Sequence, residues 1–280
     1  MTAPAGPQTL LAVRVADVTA GYDDRAALEE ISLDVPAGSL VAVFGPNGGG
    51  KTTLLKLLAG LLQPWTGTVE ILGAPAGRTA RRVAYVPQAE LVDWSFPVSV
   101  WDVAMMGRYP GLGPLRRPGP DDRRAVREAL ERVGMIEVAG TQIGALSGGQ
   151  RRRAFLARAI AADPDLYLLD EPVTGVDLTT QEDLMVLLAA EARGGAAVIA
   201  TTHDLAAAAE HFDTVVALNR SIIAMGPAAL VLDPDVLRRT YGGHLLVLGE
   251  RAVLLDDAHH HDAASGADRH FHDDGRGSHR

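Results

Sequence analysis

The stretch that most constrains this chain is Gly45-Pro46-Asn47-Gly48-Gly49-Gly50-Lys51-Thr52, a G-x-x-x-x-G-K-T loop between two apolar segments. Leu40 to Phe44 is short and unbroken, as a buried parallel strand is, and the run from Thr53 to Ala59 reads as a helix. Strand, glycine loop and helix in that order form a phosphate cradle. The glycines let the backbone curl until successive N–H groups face one anion, and the new helix aims its positive end at the same point. Lys51 brings a mobile charge for the outer phosphates, and the Thr52 hydroxyl suits Mg²⁺.

A chain of 280 residues can bury a full core. No window holds the long apolar run of a membrane span, and Met1 to Pro7 lacks the basic and apolar regions of a signal peptide, so a cytosolic protein is expected. Cysteine is absent, which excludes disulfides and thiolate metal sites. A formal charge of −9 argues against general nucleic-acid binding.

Leu11 to Val18 and Leu28 to Val35 alternate apolar and polar residues, as half-exposed antiparallel strands do. Tyr22 sits just after the first of them, where a ring could stack on a base or simply face solvent. Thr68 to Leu72 and Arg82 to Val86 are further strands, the second closed by Pro87, which leaves the Gln88 amide at a strand end. The pattern then turns helical over Ser99 to Met106 and Asp121 to Gly134, with an irregular loop expected at Tyr109 to Pro120. Leu146-Ser147-Gly148-Gly149-Gln150 opens another helix with free N–H groups. Leu166 to Leu169 is an apolar strand ending in Asp170 and Glu171, which are either a metal-holding and water-polarising pair or two solvated turn acids. Gly175-Val176-Asp177, a helix from Thr180 to Ala192, and a strand from Ala197 to Thr201 leading to His203 complete the pattern.

In order and spacing these residues resemble the ATP-binding subunit of an ABC transporter over about residues 11 to 240. The resemblance implies an α/β fold: a P-loop NTPase core with an antiparallel β subdomain and an inserted helical subdomain at about 89–160. It makes 11–241 an ATPase domain, 242–255 a short extension and 256–280 a disordered tail. It implies that Tyr22, Gly45, Pro46, Asn47, Gly48, Gly49, Gly50, Lys51, Thr52, Thr53 and Gln88 bind ATP, and that Thr52, Gln88 and Asp170 hold Mg²⁺. Glu171, His203 and Lys51 are the implied catalytic groups, Leu146 to Gln150 the signature that meets a partner subunit's ATP, and Asp177 the D-loop acid. Gly49 departs from the usual Ser or Ala, and Thr174-Gly175-Val176-Asp177 from the commoner Ser-Ala-Leu-Asp. The implied partners are a second ATPase subunit, an integral-membrane permease and, indirectly, an extracytoplasmic metal-binding protein. The implied place is the cytoplasmic face of the membrane.

Val92 to Val103, followed by Met105 to Tyr109, is similar to the same region in importers of manganese, zinc and iron-type metal ions. Trp94, Phe96 and Trp101 either line a groove for the permease or fill the subdomain core. Leu245 to Leu248 and Ala252 to Leu255 suggest a small hairpin. Asp256 to Arg280 carries His259, His260, His261, His270, His272 and His279 among aspartates, and is either a flexible ligand set for Zn²⁺ or Mn²⁺ or a solvated end. Other cargoes, such as an iron–siderophore or cobalamin, and a soluble non-transport ATPase are the alternative functions.

Overall fold

The computed structural model describes residues 10–88, 96–112, 116–242, 245–248 and 251–254. β1 (Leu11–Tyr22) and β2 (Arg25–Pro36) pair antiparallel, with the first strand running four residues beyond the expected Val18. The extension comes from a two-residue turn: Asp23 and Asp24 have φ of 43° and 58°, the left-handed geometry whose twist matches flanking strands. Gly21 makes the close pairing possible, because a Cβ there would lie 2.0 Å from the Arg25 carbonyl oxygen. Tyr22 therefore ends the strand, paired with Arg25, rather than following it.

β3 (Leu40–Phe44) is buried throughout and runs into α1 (Lys51–Leu58). β4 (Thr66–Ile71) and β5 (Ala74–Pro75) complete a four-stranded antiparallel sheet in the order β2-β1-β4-β5. β6 (Val83–Val86) is the edge of a second sheet. Three helices follow it: α2 (Val100–Met106), α4 (Pro120–Arg132) and α5 (Gly148–Ala161), with one turn, α3 (Tyr109–Leu112), after α2. That turn corrects the expectation of an irregular loop from Tyr109. Pro110 is tolerated there because a first-turn N–H has no helical partner to lose.

β7 (Leu166–Leu169), α6 (Leu178–Arg193), β8 (Ala197–Thr201), α7 (Leu205–His211), β9 (Thr214–Asn219) and β10 (Ser221–Gly226) follow. The second sheet has the order β10-β9-β3-β8-β7-β6, with β10 antiparallel and the rest parallel. Its inner strands β9, β3, β8 and β7 bury both faces, and the edge strands β10 and β6 are only partly buried. Val41, Val43, Leu166, Leu168 and Ile199 point to a cluster with α1 and the antiparallel sheet, while Tyr167, Leu169, Val198 and Ala200 point to one with α2, α4, α5 and α6.

The helical region is stitched by Arg108. Its Nε donates to Asp122 Oδ1 (3.0 Å) and its Nη1 to the Ala161 carbonyl (2.9 Å), while Asp122 Oδ2 accepts the Gly119 N–H at 2.8 Å. These donors hold the Asp122 carboxyl below the usual carboxylate range, the Gly119 N–H foremost. Of the three aromatics, Trp101 packs against the core and Phe96 is exposed, whereas Trp94 lies outside the described residues.

α8 (Ala228–Val231) and α9 (Pro234–Tyr241) end this unit. α9 docks on β9 through Asn219 Nδ2 donating to the Thr240 carbonyl at 2.9 Å, and Tyr241 stacks on Phe44 with ring centres 6.2 Å apart. β11 (Leu245–Leu248) and β12 (Arg251–Leu254) form a separate antiparallel hairpin. The His- and Asp-rich stretch 256–280 lies outside the described residues. Among the described residues no helix is long and apolar enough to cross a membrane.

Candidate active site

Four parallel strands deliver the site at their carboxyl ends, where open α/β sheets bind ligands. Gly45 follows β3, Gln88 follows β6, Asp170 follows β7 and His203 follows β8. Adjacent register brings these ends together: Val43 pairs with Thr201, Leu169 with Ala200 and Val86 with Leu169.

The glycine loop is packed against its own chain. A Cβ on Gly45 would lie 1.8 Å from the Leu218 carbonyl oxygen, and one on Gly50 2.7 Å from that of Ala27. At Gly49, where the family usually has Ser or Ala, a Cβ would lie 2.9 Å from the Pro46 oxygen, so a side chain there needs a small shift of the loop. Gly48 meets nothing within 4 Å but has φ of 76°, so it serves conformation rather than space. Lys51 Nζ donates to the carbonyls of Gly45 (2.8 Å) and Pro46 (3.0 Å), leaving a third N–H for an anion. Burial pushes its ammonium below the ordinary lysine value, opposed by the charges of Glu171 and Asp170.

Asp170 is 3% exposed, and a carboxylate so buried needs a donor on each oxygen. Thr52 Oγ1 donates to Oδ2 and Thr201 Oγ1 to Oδ1, both at 2.7 Å. The Glu171 backbone is left-handed, φ 51°, a geometry costing a non-glycine residue about 1–2 kcal/mol. Its N–H donates to Thr201 Oγ1 at 2.9 Å. Glu171 Oε2 accepts from Thr174 Oγ1 at 3.1 Å and, at a long 3.4 Å, from Gln88 Nε2, while His203 Nδ1 stands 3.8 Å away, beyond hydrogen-bond length. Lys51, Thr52, Gln88, Asp170, Glu171 and His203 thus converge. Thr201 and Thr174 join them, though sequence reasoning assigned neither a role. A threonine ending a strand or a turn carries no motif signal.

Tyr22 is half exposed, with Lys56 Nζ 5.7 Å from its ring centre, and lines a cleft of about 960 Å³ with Gly48 and Arg220. Tyr85 stands behind it, its phenol pushed up to about 12 by burial and then by Asp170 and Tyr22.

The Ser147 segment is built differently. Ser147 Oγ accepts the Gln150 N–H (3.3 Å) and Gln150 Oε1 accepts the Ser147 N–H (3.0 Å), a capping box that starts α5. Leu146 is buried beneath it, and Gly148 faces open space. Asp177 caps α6 through Thr180, whose N–H and hydroxyl hold the carboxyl below the usual range. The two helix starts touch at Gly149, where a Cβ would lie 3.4 Å from Val176.

A glycine cradle with its lysine and threonine, facing a buried Asp and a Glu across parallel strand ends, is the site of a P-loop nucleoside triphosphatase. Residues 28–174 match the ABC transporter family. The zinc transport system ATP-binding protein TroB of Treponema pallidum (strain Nichols) is 44% identical over 237 residues, 85% of this chain and 89% of that protein. The manganese transport system ATP-binding protein MntA of Synechocystis sp. (strain ATCC 27184 / PCC 6803 / Kazusa) is 45% identical over 236 residues, 83% of this chain and 91% of that one. An ABC transporter classed as metal-chelate type, solved in an inward-facing conformation, superposes with a TM-score of 0.73 at 28% identity, covering 82% of this chain and 88% of that one. The chain belongs to the ABC transporter family, as an ATP-binding, ATP-hydrolysing subunit.

Proposed function

We propose that this subunit drives import of a transition-metal ion, manganese, zinc or iron, through a separate permease. It works on the cytoplasmic face of the membrane as one of a pair of identical ATPase subunits, and an extracytoplasmic binding protein supplies the metal. The observation that carries the cargo is identity of 44–45% over more than four-fifths of the chain to proteins named for zinc and manganese transport.

In this reading the loop N–H groups from Gly45 to Thr53 and the Lys51 ammonium hold the phosphate chain of ATP, and Tyr22 stacks on the adenine. Glu171 accepts a proton from the attacking water, with His203 beside it to contact the outermost phosphate. The residues present fit Mg²⁺: a hydroxyl and a buried carboxylate oxygen 2.7 Å apart, with Gln88 nearby. Among the described residues no group of three or more His, Cys, Asp or Glu is gathered, which suits an ion completed by phosphate and water rather than an all-protein cage. Thr52, Asp170 and Gln88 would hold it, and when bound it neutralises charge developing on the phosphates. Ser147 to Gln150 face the ATP of the partner subunit, and Asp177 lies at the same junction.

The test is reconstitution with the permease and binding protein in vesicles. ATP-dependent uptake of Mn²⁺ or Zn²⁺ that vanishes without this subunit is the expected result. ATP-driven uptake of a siderophore or cobalamin in place of the free ion would replace the cargo and leave the ATPase standing.

A further inference from the structure

The strand β8 reads Ala197-Val198-Ile199-Ala200-Thr201, and its last residue is the one polar side chain among them. Thr201 is 0% exposed. Valine has nearly its shape and would fill the same space without burying a hydroxyl, so the oxygen is retained at a cost unless both its hydrogen-bonding functions are used. Both are, and on neighbouring residues. The hydroxyl hydrogen goes to Asp170 Oδ1 at 2.7 Å, and the oxygen accepts the Glu171 N–H at 2.9 Å.

Those contacts act on different things. The first fixes the rotation of the Asp170 carboxylate, whose other oxygen is shared with the P-loop threonine. The second holds the backbone of Glu171 at φ 51°, a conformation that an unanchored glutamate leaves readily, and so aims its side chain toward Gln88, Thr174 and His203. When the Thr52 hydroxyl turns to a metal or phosphate, Asp170 keeps Thr201.

We propose that Thr201 is a positioning residue for ATP hydrolysis: one hydroxyl, on the strand between β3 and β7, sets the carboxylate that faces the metal and the backbone that carries the general base. The inference rests on the roles proposed for Asp170 and Glu171. Thr201 itself touches no reacting atom.

The experiment compares Thr201→Val, Thr201→Ser and wild type in the assembled transporter, with each purified subunit examined separately. Thr201→Val is expected to lower kcat by about 10- to 100-fold, the usual cost of losing an outer-shell partner, while KM for ATP changes by less than about threefold. Thr201→Ser keeps the hydroxyl and should return kcat to within about threefold of wild type. In the nucleotide-free subunit the Val variant should exchange the Glu171 amide hydrogen faster and melt a few degrees lower, because Asp170 Oδ1 and the Glu171 N–H both lose a buried partner, while the Ser variant restores both. Wild-type turnover in the Val variant, or a Ser variant as slow as Val, overturns the proposal. Should the Val variant not fold, Thr201→Ala takes its place in every comparison. If neither folds, the hydroxyl serves the fold instead of the site, and the proposal is overturned. Failure of wild type itself to hydrolyse ATP would sink the underlying reading, an outcome distinct from all of these.

Discussion

Two glycine-rich helix starts in this molecule look alike in sequence and are opposite in structure. At the P-loop, the positions a Cβ would take on Gly45, Gly49 and Gly50 fall 1.8, 2.9 and 2.7 Å from carbonyl oxygens of the same chain. At the Ser147 loop, Gly148 meets nothing within 4 Å and Gly149 only an ordinary contact with Val176. The first loop needs glycine at Gly45 and Gly50 because its own fold crowds it there. The second is bare, its Ser147 and Gln150 satisfied by each other, which leaves room for the partner subunit's ATP proposed above. A crowded phosphate-side loop and an open second loop are the two halves that the proposed site shared between two subunits would need.

The largest effect should come from Gly45→Ala, which forces the loop away from β9. A loss of about 3 kcal/mol or more and no measurable binding of a fluorescent ATP analogue are expected, read by thermal melting and titration. Gly148→Ala should do the reverse to stability, leaving it unchanged or raised by about 0.5 kcal/mol as alanine replaces glycine in a helix. If both cost alike, the contrast between the loops fails.

On the phosphate-side half, Glu171→Gln should retain nucleotide affinity and reduce turnover of the assembled transporter by at least about 100-fold, because the amide cannot take a proton. Phosphate release at the wild-type rate would remove Glu171 from its role. On the open half, Ser147→Arg should lower assembled ATPase by about tenfold or more while single-subunit nucleotide affinity stays within about twofold. Loss of affinity in the isolated subunit would mean the loop meets ATP of its own chain.

The open half still has to be held in shape, and Asp122 tests that. Its carboxyl is depressed in the fold, so its contribution is complete above the ordinary carboxylate range and fades as pH falls through the folded value. Asp122→Asn should cost about 1 kcal/mol at neutral pH and less in acid, seen as melting curves that converge with wild type on acidification. The smallest effect is expected from removing 256–280: unchanged basal ATPase, with weaker Zn²⁺ binding by calorimetry if the six histidines act as ligands. Equal Zn²⁺ binding with and without them would make the stretch a solvated end.

Much of this was legible because chemistry and period coincide. The cradle, the Asp170–Glu171 strand end and the capped start of α5 each need particular residue types at fixed spacing, and the strands around them are plain apolar runs. Less legible was whatever depends on distant backbone. The Leu218 carbonyl that excludes a Cβ from Gly45 is invisible in sequence, since every residue has a carbonyl. Thr201 is an ordinary residue until the β7–β8 pairing puts it beside Asp170, and Thr174 until the turn after β7 folds it back onto Glu171. The Tyr109 turn was missed because proline and glycine signal a loop but also permit a single helical turn.

The support beneath the phosphate cradle has a consequence for how the protein is made. Gly45 leans on Leu218, and Phe44 on the ring of Tyr241, so the loop written early in the chain is backed by residues translated 173 and 197 positions later. During synthesis the Lys51 loop emerges first and waits, exposed, for its floor. Contacts of such sequence separation form late and slowly. A nascent chain stalled before β9 would carry every residue of the glycine loop and still be unable to grip a nucleotide, so ATP binding marks the end of folding for this subunit rather than its beginning.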